Sequence, residues 1–239
     1  MLSSDEMEPQ QSRSARSYRQ YCAVARGLDV IGERWTLLIV RDLLVGPKRY
    51  KDLLDGLPGI GTNLLATRLR ELEERRLIRR TVLPPPAGST VYELTEEGRT
   101  LEPVVMAIGR WGVRFMDAPR EADFLSPTAF VLALRAIFRA EAAAGLNETY
   151  ELRLGGRVFE VRVADGRCAT NEGRAAAPDA VITTDTETFR ALRRRELSAE
   201  QALASGRLEL DGDPVALERF VRIFAGGPAE QDGSGAPAG

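Results

Sequence analysis

One stretch constrains the fold of this chain more than any other: Gly59-Ile60-Gly61-Thr62-Asn63-Leu64-Leu65-Ala66-Thr67-Arg68-Leu69-Arg70-Glu71-Leu72-Glu73-Glu74. Leu65, Leu69 and Leu72 recur at i, i+4 and i+7, so in a helix they share one face and pack inward. The opposite face then carries Asn63, Thr67 and Arg70, with Thr62 and Arg68 on its flanks. Short donors and acceptors beside long cations are the groups that meet base edges and phosphates in a major groove. Glu71, Glu73 and Glu74 come only in the C-terminal half, where an anionic backbone would repel them. A recognition helix would therefore point its N-terminal half at the duplex. An ordinary surface helix with a polar face shares this pattern, and the neighbouring segments decide between the two.

Val24, Leu28 and Ile31 make a short helical stripe that Gly32 ends. Trp35 to Leu43 continue as a second helix up to Gly46-Pro47, a turn signal. A third helix runs from Tyr50 to Leu54 and stops at Gly56 and Pro58-Gly59. Helix, tight Gly/Pro turn, helix is the helix-turn-helix arrangement. Leu77 to Leu83 and Ser89 to Leu94 are rich in branched residues and read as strands. Pro84-Pro85-Pro86-Ala87-Gly88 between them cannot pair in a sheet and must be a loop. Two strands with a protruding loop after a helix-turn-helix make a wing. Arg79 and Arg80 sit on it, suitably for phosphates, with Ser89 beside the loop. Arg49, Tyr50 and Lys51 at the start of the third helix complete the candidate DNA-binding set. A helix from Thr95 follows, with Leu101, Val104, Val105, Ile108, Trp111, Val113 and Phe115 along it. So apolar a helix after a completed small domain needs a partner, and a second copy of itself is the simplest. The alternative is that it folds back on its own domain.

Composition removes other readings. The chain of 239 residues has no histidine, which excludes every histidine-based triad and the commonest metal ligand. Its only lysines are Lys48 and Lys51, and no carboxylate pair sits where a raised pKa is expected. Cys22 and Cys168 have no metal-ligand spacing, so neither a disulfide framework nor a zinc site is implied. No enzyme activity, cofactor or metal is expected. No apolar run is long enough to span a bilayer. Asp5, Glu6 and Glu8 precede any cation, unlike a secretory signal, so a cytoplasmic protein is expected. The net charge of −2 hides an asymmetry: residues 1–115 carry +3 and residues 116–239 carry −5. Only the first half suits nucleic acid, and there the positive charge must be local.

Residues 18–115 resemble the HxlR-type winged-helix transcriptional regulators. The resemblance is carried by Tyr21-Cys22, by Gly32-Glu33-Arg34-Trp35-Thr36-Leu37-Leu38-Ile39 and by Arg41-Asp42-Leu43. It continues through Gly46-Pro47, Arg49-Tyr50, Leu57-Pro58-Gly59-Ile60, Leu64-Leu65, Arg68-Leu69-Arg70-Glu71-Leu72-Glu73, Leu77, Tyr92-Glu93-Leu94-Thr95 and Gly98. It implies a dimeric repressor or activator that binds double-stranded DNA and dimerises through its N- and C-terminal helices. Two positions depart from the family. Its capping serine is Gly61 here, with Thr62 as a substitute cap. Its glycine after the recognition helix is Arg76, which is costly in a left-handed conformation, so the helix end is expected to differ. Cys22 stands where the family often has a cysteine, used by some members to sense oxidants or electrophiles. A thiolate beside Arg19 or Arg26 would be reactive. The alternative is a small residue buried at the dimer seam.

Pro119 to Pro127 reads as a domain join. Beyond it, Phe130, Leu134 and Phe138 mark a helix capped by Ser126-Pro127. Tyr150 to Leu154 and Val158 to Val163 form an alternating hairpin across Gly155-Gly156. Further strands are expected at Arg167–Thr170, Ala180–Thr184 and Arg207–Asp211, with helices at Asp185–Arg194, Ser198–Ser205 and Pro214–Phe224. This half resembles the sterol-carrier-protein-type lipid-binding domain. Pro178-Asp179-Ala180-Val181-Ile182-Thr183-Thr184-Asp185 and Ser205-Gly206-Arg207-Leu208-Glu209-Leu210-Asp211-Gly212-Asp213 carry that likeness. It implies an apolar tunnel between sheet and helices. Phe130, Leu134, Phe138, Phe159, Phe189, Leu192, Leu203, Phe220 and Phe224 are the candidate lining residues, and plain core is the alternative for each.

The expected fold is a mainly α winged helix-turn-helix domain (18–117) followed by an α+β domain with a five-stranded sheet (125–225). A disordered arm (1–17) and tail (226–239) are expected to flank them. The expected function is a homodimeric DNA-binding regulator tuned by a hydrophobic small-molecule effector. A lipid carrier or scaffold that uses the winged helix only to dimerise is the alternative.

Overall fold

The computed structural model describes residues 17–84, 88–117, 119–120 and 122–224. The expected tail and all but the last residue of the expected arm lie outside them, as does the centre of the proline loop.

The first domain is built from α1 (Ala23–Ile31), α2 (Thr36–Leu43), α3 (Tyr50–Gly56) and α4 (Thr62–Glu74). The hairpin β1 (Ile78–Val82) and β2 (Thr90–Leu94) follows, paired antiparallel with Ile78 opposite Leu94. Lys48 extends this ribbon, exchanging both backbone hydrogen bonds with Tyr92 at 2.9 and 2.7 Å. The single helix expected after Thr95 is two: α5 (Glu96–Arg99) and α6 (Glu102–Gly112), with one 3₁₀ turn at Val113–Phe115. Pro103 explains the break. It has no N–H to give the Arg99 carbonyl, and its ring would clash there, so it is tolerated only in the first turn of a new helix. Thr95 caps α5 by accepting from the Gly98 N–H at 3.0 Å. Gly98 is obligatory for space: a Cβ there would stand 2.0 Å from the Leu77 carbonyl oxygen.

The second domain begins with α7 (Pro127–Ile137), whose N-cap Ser126 accepts from the Ala129 N–H at 3.2 Å. Its strands are β3 (Asn147–Leu154), β4 (Arg157–Ala164), β5 (Arg167–Glu172), β6 (Ala180–Thr184) and β7 (Leu208–Gly212). They form one sheet in the order β5-β4-β3-β6-β7, parallel between β3 and β6 and antiparallel elsewhere. Gly155 and Gly156, at φ +57° and +79°, supply the two left-handed positions that a tight hairpin turn requires. Helices α8 (Thr186–Arg193) and α9 (Ala199–Ala204) lie between β6 and β7, and α10 (Pro214–Phe224) closes the domain. Alternation in β4 buries Phe159, Val161 and Val163 on one face. α7 packs on β5, and α10 on β6 and β7, covering the sheet.

The two domains share a seam in which α2 packs on α7, and the buried apolar cluster runs continuously across it. Arg135 of α7 is its polar centre. Its guanidinium donates to Glu102 Oε1 of α6 at 2.9 Å, to the Leu44 carbonyl at 3.1 Å, and to the Thr170 hydroxyl and carbonyl at 2.9 and 2.5 Å. The Glu172 N–H donates to the Val45 carbonyl at 2.7 Å. The Glu172 carboxylate forms ion pairs with Lys48 from the first domain and with Arg157, at 2.8 Å, from its own.

Candidate nucleic-acid interface

Helix α4 buries Leu65, Leu69 and Leu72 and no other residue. Thr62, Asn63 and Arg70 are exposed on its outer side. Thr67 is half-buried, and its hydroxyl donates back to the Asn63 carbonyl at 2.9 Å, which leaves its lone pairs for a ligand. Arg70 has 69% of its side chain exposed and only a loose approach to Glu74 at 3.9 Å.

Arg68 departs from the sequence expectation. Its guanidinium is half-buried and held by Glu33 at 2.6 Å and Glu71 at 2.5 Å, so it ties α4 to the segment before α2. At spacing i, i+3, Glu71 lies within reach of it on the same helix. Thr62 is the first helical residue rather than a cap. Gly61 is the N-cap and makes no side-chain hydrogen bond. Instead the Tyr50 hydroxyl donates to the Thr62 carbonyl at 2.7 Å, fixing α3 against the start of α4. The other end keeps left-handed geometry despite its residue. Arg76 stands at φ +59°, and the Leu77 N–H closes the helix on the Leu72 carbonyl at 3.0 Å. Holding an arginine there costs about 1 kcal/mol.

Arg49 and Lys51 are exposed at the start of α3, where the Arg49 N–H donates to Asp52 Oδ2 at 3.1 Å. On the wing, Arg79 and Arg80 are exposed and answer Glu93 at 2.8 Å and Glu73 at 3.1 Å. Ser89 is half-buried at the base of the wing loop.

A second surface lies away from these residues. Not one residue of α6 is buried. Val104, Ile108 and Trp111 are exposed along it, Val113, Phe115 and Met116 extend it, and the Trp111 and Phe115 rings sit 4.8 Å apart. Tyr21, Val24, Leu28 and Val30 are likewise exposed on and before α1. Cys22 is the exposed N-cap of α1. The neighbouring Arg26 is engaged by Asp29 at 3.5 Å. Cys168 is different: burial pushes its thiol up to about 12, against a smaller opposing effect of Arg135.

Most of the residues expected to line a tunnel pack on one another. Phe130 meets Phe189 edge-on at 6.2 Å, Phe138 lies 6.1 Å from Phe224, and Phe220 lies 4.7 Å from Phe224 and 5.0 Å from Tyr150. Leu134 and Phe159 are fully buried, and Leu192 packs against the same core. Leu203 departs from expectation, being 38% exposed.

The cavities described in the structure lie elsewhere. One of about 350 Å³ opens at the seam between Asp42, Lys48 and α3 on one side and Phe124–Thr128, Gly155, Arg157 and Thr186 on the other. Sequence reasoning missed this junction, because its partners are as far apart as Leu44 and Arg135 and no local pattern links them. The seam also holds a single perturbed carboxylate, where the sequence spoke only of pairs. Asp42 is buried, and desolvation pushes its carboxyl up against the pull of Arg41. Burial likewise pushes the Lys48 ammonium down to about 8.

A winged helix-turn-helix joined to an α+β domain with a five-stranded mixed sheet is the class of protein this fold defines. Residues 30–120 match the HxlR-like helix-turn-helix family, and residues 133–225 match the SCP-2 sterol transfer family. The HTH-type transcriptional regulator YodB of Bacillus subtilis is 38% identical over 88 residues, covering 37% of this chain and 79% of YodB. YdeP of the same organism, an uncharacterized HTH-type transcriptional regulator, is 38% identical over 96 residues, covering 40% and 75%. Among solved structures, the redox regulator HypR in its oxidized form is 36% identical over 41% of this chain and 100% of its own, with a TM-score of 0.38. The chain belongs to the HxlR-like helix-turn-helix family. No helix among the described residues is long and apolar enough to cross a membrane.

Proposed function

We propose that this chain is a DNA-binding transcriptional regulator that acts in the cytoplasm as a homodimer, with operator affinity set by a hydrophobic molecule held in its second domain. The observation that carries this reading is helix α4, which buries its leucines while Thr62, Asn63 and Arg70 face solvent. Asn63, Thr67 and Arg70 read base edges in the major groove; Arg49, Tyr50, Lys51, Arg79, Arg80 and Ser89 hold phosphates on either side. Arg68 orients α4 through Glu33 instead of touching DNA. Two copies joined across α1 and α6 place two such helices on a two-fold site. An acyl chain or sterol enters the second domain by parting the aromatic contacts of Phe130 with Phe189 and of Phe138 with Phe224. Lys48 passes the change on, since its backbone pairs with the wing strand and its side chain with Glu172.

Fluorescence anisotropy on DNA from upstream of the protein's own gene tests the reading. Binding that falls steeply with salt, and a loss of about 1–3 kcal/mol in Arg70→Ala or Asn63→Ala, is expected. If both variants bind like the parent, the docking is wrong. Mass spectrometry of material extracted from the purified protein then asks which apolar molecule it carries.

A further inference from the structure

The seam cavity has a chemistry of its own. Three aspartates, Asp42, Asp52 and Asp55, line it beside Lys48 and Arg157. Both cations are already answered by Glu172. The carboxylates are only partly answered. Asp42 receives Arg41 on Oδ1 alone, at 2.9 Å from Nε and 2.8 Å from Nη2. Asp52 receives the Arg49 N–H on Oδ2. Asp55 makes no hydrogen bond or ion pair among the described residues. Three carboxylates with unused lone pairs give the cavity room to accept hydrogen bonds, so a ligand that brings N–H donors and positive charge fits it.

Two further features narrow the class. Among the described residues, no three carboxylates come close enough together to share a metal ion. The acceptors line one side of the space rather than enclosing a point, which suits an organic cation with several N–H donors and an apolar body better than a bare ion. Phe124, Leu125 and Pro127 give the remaining wall an apolar surface. Gly56 keeps the floor open, since a Cβ there would stand 3.1 Å from Asp42 Oδ2. A volume of about 350 Å³ lies at the small end of ligand pockets, which run from about 300 to 1,000 Å³.

We propose that the cavity between the two domains binds a small amphipathic cation, an ammonium or amidinium on a short apolar body, with its charge among Asp42, Asp52 and Asp55 and its body against Phe124, Leu125 and Pro127. Such a ligand touches α3, which is fixed to the reading helix through Tyr50, and the second domain at once. Only this last consequence for DNA rests on the regulator reading.

Calorimetric titration of the full chain, without DNA, tests the site. The probes are phenethylammonium, its neutral counterpart 2-phenylethanol and its anionic counterpart phenylacetate. Binding of the ammonium at one per chain, with no heat from the other two, is expected. Asp55→Asn removes an exposed, unpaired charge and should keep the fold, checked by circular dichroism, while weakening the ammonium about tenfold. Phe124→Ala should weaken it through the apolar wall. Equal binding of phenylacetate or 2-phenylethanol overturns the proposal. So does unchanged affinity in Asp55→Asn, or no ammonium binding up to about 10 mM. Because no DNA is present, failure here leaves the DNA reading standing, and failure of the DNA reading leaves this site standing.

Discussion

The two domains dispose of their aromatic residues in opposite ways. In the second, Phe159 of the sheet, Phe189 of α8 and Phe220 and Phe224 of α10 are buried in the core. In the first, Trp111 is 57% exposed and Phe115 68% exposed, on a helix and turn with no buried residue. The second domain has a sheet face that its own helices cover. Among the described residues, the outer faces of α1 and α6 in the first are left uncovered. The same kind of side chain is therefore internal structure in one half and unfinished surface in the other. An apolar patch of this sort marks an interaction site on a protein surface.

Substitutions can break or sharpen that contrast. Phe159→Ala should lower stability by about 3–5 kcal/mol in denaturant unfolding, because it empties a fully buried site. A loss below about 1 kcal/mol would show that the second domain is loosely packed. Ile108→Glu with Trp111→Glu should leave each chain folded yet turn the proposed dimer into monomers in sedimentation. Central apolar anchors of an interface are worth about 2 kcal/mol or more each. A variant that stays dimeric would move the interface off α6. Arg135→Ala should cost about 2–3 kcal/mol by leaving the Leu44 carbonyl and Glu102 without their charged donor.

The smallest effect concerns the cysteines. Cys22 should react with iodoacetamide at pH 8, whereas Cys168, near 12, holds only about one part in ten thousand as thiolate there. Because the folded pKa of Cys168 is raised, its contribution to stability is full below pH 9 and lost as pH climbs toward 12. Cys168→Ser should remove that part of the alkaline decline. Equal labelling of both thiols would contradict the burial assigned to β5.

Local patterns made much of the fold legible. Leucine spacing located α4, and glycine and proline pairs located the turns around α2 and α3. The Gly155-Gly156 pair, with φ of +57° and +79°, placed the turn between β3 and β4. Failures came where one residue outweighed a pattern. The stripe from Leu101 to Phe115 concealed the break that Pro103 imposes. Arg76 looked like a reason for altered geometry, but the hydrogen bond from Leu77 to Leu72 holds it left-handed. Arg68 stood among the expected DNA contacts because Glu33, which holds it from 35 positions away, falls outside any local pattern. The seam was illegible for the same reason on a larger scale, since Arg135 and Leu44 are 91 positions apart.

The way α2 leans on α7 has a practical corollary. The interior is continuous from one half to the other, so heat should melt the whole molecule in a single cooperative step. A fragment ending before α7 would carry a raw hydrophobic wound and tend to clump. Genetic dissection of this regulator is thus better done with point changes than with scissors.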